Sequence, residues 1–229
     1  MTKIFLFPVI GTLLCLSCGP LPQSTSTSPG AGGQSAQSAG LSPELRASGA
    51  FDYFLLTLSW APEFCHSKPD SPECGEHVGF IVHGLWPQYS RGGYPENCSQ
   101  QPGPSNPQQM LDLMPDAHLI QHEWVTHGTC TGLTADNYFA LVRKIRGSVR
   151  IPQDLVAPDH QLTVTPEALK QDFEQANPQL NDSEIALSCG SGPYLVGVEI
   201  CFSKDGKPIP CGADIRDCNR PALRIPRVQ

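Results

Sequence analysis

The chain has 229 residues, a formal net charge of −7 at pH 7 and a hydrophobic content of 39%. An acidic chain of this kind lacks the positive charge needed for an extended electrostatic grip on a nucleic acid. A small cleft that binds one or two nucleotides is compatible with this balance, because local positive groups can act within an acidic background.

The first 18 residues have the pattern of an export signal. Lys3 precedes an apolar run over residues 4–16, which is too short to span a bilayer. We therefore expect the mature protein outside the cytoplasm, either periplasmic or secreted. The residues around Cys18 partly match a bacterial lipoprotein signal, so membrane attachment through a lipid on Cys18 and simple cleavage of the signal are both open.

Residues 19–49 are mostly Ser, Gly, Pro, Gln and Ala, with almost no large apolar residue. Such a segment cannot bury enough surface to offset the entropy of ordering it, so the composition predicts a disordered linker. If Cys18 carried a lipid, the linker would hold the following domain away from the membrane. Residues 50–229 have the size of one domain.

The cysteines that follow the signal segment indicate disulfides. Their even number in an exported chain favours disulfide bonds. None of them forms a C-x-x-C pair, which disfavours a zinc site. The eight are Cys65, Cys74, Cys98, Cys130, Cys189, Cys201, Cys211 and Cys218.

The first half of the domain combines strands, a long loop and a short helix. Residues 51–60 are rich in apolar and aromatic residues and predict a strand that ends at Ala61-Pro62. Residues 78–83 predict a second strand, which breaks at the following glycine and proline. Residues 92–109 are dominated by Pro, Gly, Asn and Gln and predict a loop along a binding cleft. Residues 118–127 predict a helix.

The second half predicts two helices and then strands. Residues 134–147 have apolar side chains at helical spacing, and a further helix begins at Thr165-Pro166 and ends at Asn177-Pro178. Residues 184–202 contain two strand-like runs. Asp205-Gly206 predicts a hairpin turn that would bring Cys201 close to Cys211. Helices and strands without regular alternation predict the α+β class.

Two segments carry the residues for chemistry. The first, FIVHGLWP, delivers His83, which by itself is more often structural than catalytic. The second, HEWVTHGTC, contains His122, Glu123, His127 and Cys130. On a helix, Glu123 and His127 share a face, so the carboxylate can orient the imidazole. Zinc hydrolases need H-E-x-x-H, and this segment has one residue too many. The oxidising compartment favours a disulfide over a nucleophilic thiol at Cys130.

The segments HGLWP and HEWxxHGTC together resemble the two active-site segments of the ribonuclease T2 family. The opening LTLSWAP, followed by Cys65 and Cys74, is similar to the first strand and small disulfide loop of that family, so the resemblance covers residues 51–218. It implies a central, mainly antiparallel sheet flanked by helices. The disulfides that it implies are Cys65–Cys74, Cys98–Cys130, Cys189–Cys218 and Cys201–Cys211.

The resemblance also implies roles for the histidines and the glutamate. His127 would be the general base, His83 the general acid, Glu123 an aid at the phosphoryl transition state, and His122 a phosphate-binding group. The 2′-hydroxyl of single-stranded RNA is the nucleophile, so DNA is excluded and the product is a 2′,3′-cyclic phosphate. We expect a monomer that needs no metal and no cofactor, with a bell-shaped, mildly acidic pH profile.

Three further positions concern substrate binding. Trp86 and Tyr94 match the residues that stack on the base 5′ to the cut, which implies weak base selectivity, although packing in the core is the alternative for both. Gln88 lies at a base-contacting position, and because its amide both donates and accepts, base preference stays open.

Thr126 departs from the family pattern, which has a lysine there. A neutral hydroxyl at this phosphate-binding position cannot supply the same charge, so a catalytically weak or inactive RNA-binding protein of the same fold is the alternative function. The basic residues over 143–150 could replace the lysine or could form an ordinary solvated helix face.

Overall fold

The computed structural model describes residues 49–228. The predicted signal segment, Cys18 and nearly all of the predicted linker lie outside the described residues. No helix within 49–228 is both long enough and apolar enough to cross a membrane. The helices and strands in chain order are β1 (Tyr53–Trp60), α1 (Ala61–Ser67), β2 (Phe80–Gln88), α2 (Ala117–Thr126), α3 (Ala135–Gly147), β3 (Leu162–Val164), α4 (Pro166–Ala176), β4 (Ile185–Cys189), β5 (Leu195–Phe202) and β6 (Leu223–Ile225).

The central sheet has four strands in the order β2-β1-β5-β4, and every neighbouring pair is antiparallel. This confirms the α+β class with a mainly antiparallel sheet. Strand β1 lies inside the sheet, and its apolar sequence is buried on both faces. Strands β3 and β6 form a separate two-stranded sheet.

The larger core lies between the sheet and the helices. Alternate residues of β1, namely Phe54, Leu56 and Leu58, point to this side. They are buried with Trp124 of α2 and Tyr138 of α3. Helices α2, α3 and α4 begin within one residue of their predicted starts, whereas α1 was not predicted. Asp116, Thr134 and Thr165 cap them by accepting hydrogen bonds from backbone N–H groups of their first turns.

The opposite face of β1 carries a smaller cluster. Tyr53 and Leu55 pack there with Cys201 and the partly buried Trp86. Because side chains alternate along a strand, Ser59 belongs to the same face. This face of the sheet supports the candidate site.

The prediction that the second strand ends at His83 is wrong. Strand β2 continues through Gly84 and Pro87 to Gln88. It is an edge strand of the sheet, where a residue without an N–H can be tolerated because one side of the strand has no hydrogen-bonding partner. His83 therefore lies within the strand, not at its end.

All four disulfides implied by the resemblance are present: Cys65–Cys74, Cys98–Cys130, Cys189–Cys218 and Cys201–Cys211. The turn at Asp205-Gly206 is also confirmed. Gly206 has a φ of +82°. The Ile209 N–H donates to the Cys201 carbonyl at 3.0 Å, a typical length for a backbone hydrogen bond. The turn brings Cys201 and Cys211 together as predicted.

Candidate active site

A bulge in β2 sets the position of His83. Thr57 of β1 pairs with Gly84, whereas the next residue, Leu58, pairs with Val82. His83 is thus the extra residue on β2. A bulge of this kind bends the strand and changes the direction of the side chain, and such bulges are frequent beside active sites.

Two side chains contact the His83 imidazole from different sides. Its Nδ1 lies 2.9 Å from the hydroxyl of Ser59 on β1. Its Nε2 lies 3.6 Å from Oε1 of Glu123 on α2. The ring is therefore held between the sheet and the helix, with 39% of its side chain exposed.

Glu123 is fully buried at the centre of the site. Its Oε2 accepts a hydrogen bond of 2.7 Å from the indole N–H of Trp86. Both groups lie directly over Gly84, where an added Cβ would stand 2.0 Å from Oε2 and 2.3 Å from the indole nitrogen. Gly84 is thus required for the close approach of the carboxyl group to β2.

His127 follows the last residue of α2. Its backbone N–H donates to the Glu123 carbonyl at 3.0 Å, and its ring is nearly buried. The ring centroid lies 5.1 Å from that of Trp86 and 5.8 Å from that of Tyr94. The His83 ring lies 5.5 Å from Trp86, so both imidazoles border the same indole.

The structure shows no hydrogen bond between the side chains of Glu123 and His127, although such a contact along the helix was expected. Within residues 49–228, Oε1 of Glu123 and Nδ1 of His127 have no hydrogen-bond partner. His127 is the C-cap of α2, with a φ of −114°, and its ring packs beside Trp86 and Tyr94 instead. The carboxyl group instead contacts Trp86 and His83.

Burial shifts the protonation of all three groups towards their neutral forms. It raises the pKa of Glu123 to about 8, against the lowering effect of the Trp86 hydrogen bond. Burial, together with the nearby charges of His122 and His83, lowers the pKa of His127 to about 4. Burial and His122 also lower the pKa of His83. The contact between His83 and Glu123 is therefore not a charged pair at neutral pH.

His122 and Thr126 lie one turn apart on α2, and the Thr126 hydroxyl is 3.4 Å from Nδ1 of His122. His122 is exposed. It lines a cavity of about 280 Å³ together with Ser59 and His83. The two residues therefore lie at the margin of the histidine cluster, open to solvent.

Tyr94 and Gln88 have opposite environments. Tyr94 is 52% exposed beside His127. Its turn is held by the Gly93 N–H, which donates to the Asp214 carboxylate at 2.6 Å. Gln88 is only 2% exposed at the end of β2, so its side chain offers little surface to a base.

The basic residues of α3, which could replace the lysine of the family pattern, have contacts of their own. Arg143 is bound to the Asp112 carboxylate at 2.7 Å. Arg146 donates to the Val149 carbonyl at 2.8 Å. Lys144 lines a separate cavity with Lys204. These contacts belong to the helix and its neighbours, in line with the alternative of an ordinary helix face.

The long loop over residues 92–109 is attached to the end of α2. The Asn97 N–H donates to the Thr126 carbonyl at 2.8 Å, and the Cys98 N–H donates to the Thr129 hydroxyl at 3.1 Å. The disulfide between Cys98 and Cys130 closes the same junction. These bonds brace the backbone on both sides of His127.

Ser59 is not among the site residues predicted from the sequence. Its contact with His83 depends on the register between β1 and β2 and on the bulge, neither of which has a signal in the local sequence. Alternation along β1 could have placed Ser59 on the face shared with Tyr53 and Leu55, but not beside a particular histidine.

Fold and site together define a disulfide-linked α+β protein with two histidines and a buried glutamate around one tryptophan. The chain belongs to the Ribonuclease T2 family, whose model matches residues 51–211. It is 44% identical to the ribonuclease of Aeromonas hydrophila over 100 residues, which cover 43% of this chain and 46% of that protein. The chain spans about half the length of several curated relatives that it matches, 46%, 61% and 52%.

Solved structures have the same fold. An RNase-related protein from Calystegia sepium superposes with a TM-score of 0.63 at 21% identity, over 78% of this chain and 98% of that chain. A variant of RNase MC1, the ribonuclease of bitter gourd seeds, was solved in complex with 5′-UMP. It superposes with a TM-score of 0.59 at 26% identity, over 76% of this chain and 97% of that chain.

Proposed function

We propose that the chain is an endoribonuclease that cuts single-stranded RNA by transphosphorylation and leaves a 2′,3′-cyclic phosphate. The observation that carries this proposal is the placement of His83 and His127 at 5.5 and 5.1 Å from one indole ring, with the buried Glu123 bound to that indole. Family membership supports the activity.

His127 is the general base of the proposed reaction. Since its pKa is lowered to about 4, its ring is neutral in mildly acidic solution and can take the proton of the 2′-hydroxyl. The freed oxygen attacks phosphorus and forms the cyclic phosphate. The bond from phosphorus to the 5′-oxygen breaks, and protonated His83 donates its Nε2 proton to that oxygen.

Glu123 stabilises the transition state as a neutral acid. With a pKa of about 8, it holds its proton at the working pH and can donate a hydrogen bond to a non-bridging phosphoryl oxygen. An ionised carboxylate would repel that oxygen. His122 and Thr126, at the solvent side of the cluster, bind the phosphate.

Trp86 and Tyr94 bind the base 5′ to the cut by stacking beside His127. Stacking depends little on base identity, so we expect weak base preference. The nearly complete burial of Gln88 favours a supporting role for this residue over direct contact with the base. The related RNase MC1 variant was solved with 5′-UMP, and we extend nucleotide binding to this chain as part of the proposal.

A weak or inactive RNA-binding protein of the same fold is the second candidate function. The observation that favours it is Thr126, because the described contacts place Arg143 and Arg146 with partners on their own helix and its neighbours. Without a cation near the phosphoryl oxygens, part of the transition-state stabilisation of the family pattern is missing.

One experiment separates these functions. The full-length protein is incubated with single-stranded RNA, and with DNA of the same sequence, in EDTA at mildly acidic pH. We expect RNA fragments that end in a 2′,3′-cyclic phosphate and intact DNA, because only RNA has the 2′-hydroxyl. Binding of RNA without cleavage would favour the second function. Cleavage that EDTA abolishes would refute the metal-independent reaction.

We also propose that the protein is exported and acts as a monomer, with the predicted signal over residues 1–18 removed. Mass analysis of the mature N-terminus distinguishes lipid attachment at Cys18 from simple cleavage. Retention of Met1 in the mature protein would contradict export through this signal.

A further inference from the structure

The acid of the proposed reaction must present Nε2 to the departing oxygen, and this depends on what holds Nδ1. His83 is the extra residue of a bulge, so the ladder of the sheet does not pair it. The Ser59 hydroxyl lies 2.9 Å from its Nδ1. A hydrogen bond at Nδ1 restricts rotation of the imidazole ring. It keeps Nε2, on the other side of the ring, pointed towards Glu123.

We propose that Ser59 is a positioning residue that holds the His83 ring by accepting a hydrogen bond from Nδ1. The inference rests on the proposed function, in which His83 is the acid. Ser59 itself does not contact the reacting atoms. Its hydroxyl fixes the orientation and the tautomer of the group that does.

The direction of the hydrogen bond follows from the role of the ring. A histidine that gives up the Nε2 proton must begin as an imidazolium, in which both nitrogens donate. The Ser59 oxygen therefore accepts from Nδ1. After the transfer, the neutral ring keeps its proton on Nδ1, and Nε2 becomes an acceptor. Ser59 thereby favours the tautomer that can later take a proton from water when the cyclic phosphate is hydrolysed.

Ser59 is suited to this task because it lies on an interior strand of the sheet. It pairs with Ile81 on β2 and with Gly197 on β5, so β1 is fixed from both sides. A Cβ at Gly197 would lie 2.5 Å from the Leu58 carbonyl oxygen, which shows how closely β5 approaches β1. A hydroxyl on such a strand positions a neighbouring ring more accurately than a loop residue would.

The test compares Ser59→Ala with Ser59→Thr, which keeps the hydroxyl. We expect Ser59→Ala to lower kcat on single-stranded RNA roughly tenfold with KM unchanged, since one hydrogen bond to a charged group is lost. Ser59→Thr should restore most of the activity. Ser188→Ala is the matched control, because Ser188 also pairs with Gly197 but on the far strand β4; it should leave kcat unchanged.

The pH profile gives a readout that a purely structural role would not move. Loss of the acceptor destabilises the imidazolium, so the high-pH limb of kcat/KM should move to lower pH in Ser59→Ala and stay in place in Ser59→Thr. The titratable groups that face His83 or line the cavity beside it are unchanged in these variants. They are Glu73, Asp116, His118, His122, Glu123 and His127.

Nitrogen NMR of the His83 ring tests the proposal independently of activity. We expect neutral His83 to carry its proton on Nδ1 in the wild type and mainly on Nε2 in Ser59→Ala. The tautomer can be measured even if the wild type does not cut RNA. Absence of cleavage would refute the proposed function but not the hydrogen bond from His83 to Ser59. An unchanged tautomer, or a Ser59→Ala variant with wild-type kcat and pH profile, would overturn the role of Ser59.

Discussion

At the residue scale, Glu123 combines complete burial with an ionisable group. Its pKa is about 8 in the folded chain, compared with an ordinary value of 4.5. Between these two values, the unfolded chain loses a proton that the folded chain keeps. The free energy of unfolding therefore falls as the pH rises from 4.5 towards 8. The carboxyl group to which we assign a part in the reaction therefore makes the fold less stable at neutral pH.

Glu123→Gln should consequently stabilise the fold while impairing the reaction. The free energy of unfolding of Glu123→Gln should exceed that of the wild type, and this excess should be about 3 kcal/mol larger at pH 7 than at pH 4. Urea denaturation at both pH values measures this difference, and Glu76→Gln, at an exposed site, should show none. A difference that does not depend on pH would mean that Glu123 is ionised in the folded chain, and its role as a donor would be wrong.

Thr126 is a neutral residue at the position where the family pattern has a positively charged lysine. Its side chain lies next to His122 at the end of α2. The hydrogen bond to Asn97 of the loop is made by its backbone carbonyl, so a change of side chain leaves that bond in place. We expect Thr126→Lys to raise kcat by roughly 10²-fold, because a cation would then face the developing phosphoryl charge. Steady-state cleavage of RNA measures it, with the neutral Thr126→Gln as control. An equal effect of both substitutions would show that charge at this position is unimportant.

At the scale of elements, the site depends on the end of α2 and on the bulge in β2. The helix presents Glu123 inside the protein and then stops, so that His127 turns towards Trp86 and Tyr94. The bulge directs His83 towards the same carboxyl group. Neither element by itself brings the two imidazoles beside the Trp86 indole.

The disulfide between Cys98 and Cys130 fixes the turn after His127. Replacing both cysteines by serine should cost about 4 kcal/mol of stability, and so should the same change at Cys189 and Cys218, because the sequence separations are 32 and 29. Only the first pair braces the site. We expect kcat/KM to fall strongly in that variant and little in the second, when both are assayed well below their melting temperatures. Equal losses of activity would refute this function of the bond.

Part of the architecture could be predicted from the sequence because its signals are local. Capping threonines at Thr134 and Thr165 mark the starts of α3 and α4, and the hairpin glycine Gly206 marks its turn. The contact of Ser59 with His83 could not be predicted, because it arises from register across two strands. The burial of Glu123 over Gly84 likewise depends on how α2 packs on β2.

At the scale of the whole molecule, burial of the site should set the pH range of activity. In the proposed reaction His127 acts as a base when neutral, and its pKa is lowered to about 4. The proposed acid, His83, acts when protonated, and its pKa lies below the ordinary value of 6.5. With a dinucleotide substrate, kcat/KM should therefore rise with a midpoint near pH 4. As the pH increases further it should fall again, with a midpoint below 6.5. A plateau that extends well above neutral pH would contradict these assignments.

The most direct test of the account uses His83→Ala and His127→Ala on two substrates that differ in leaving group. On ordinary RNA, both variants should lose roughly 10²- to 10⁴-fold in kcat/KM. On a uridine 3′-phosphodiester of para-nitrophenol, whose leaving group departs without protonation, His83→Ala should regain nearly wild-type activity while His127→Ala stays impaired. Equal activity of the two variants on the activated substrate would contradict the assignment of acid and base across one phosphodiester.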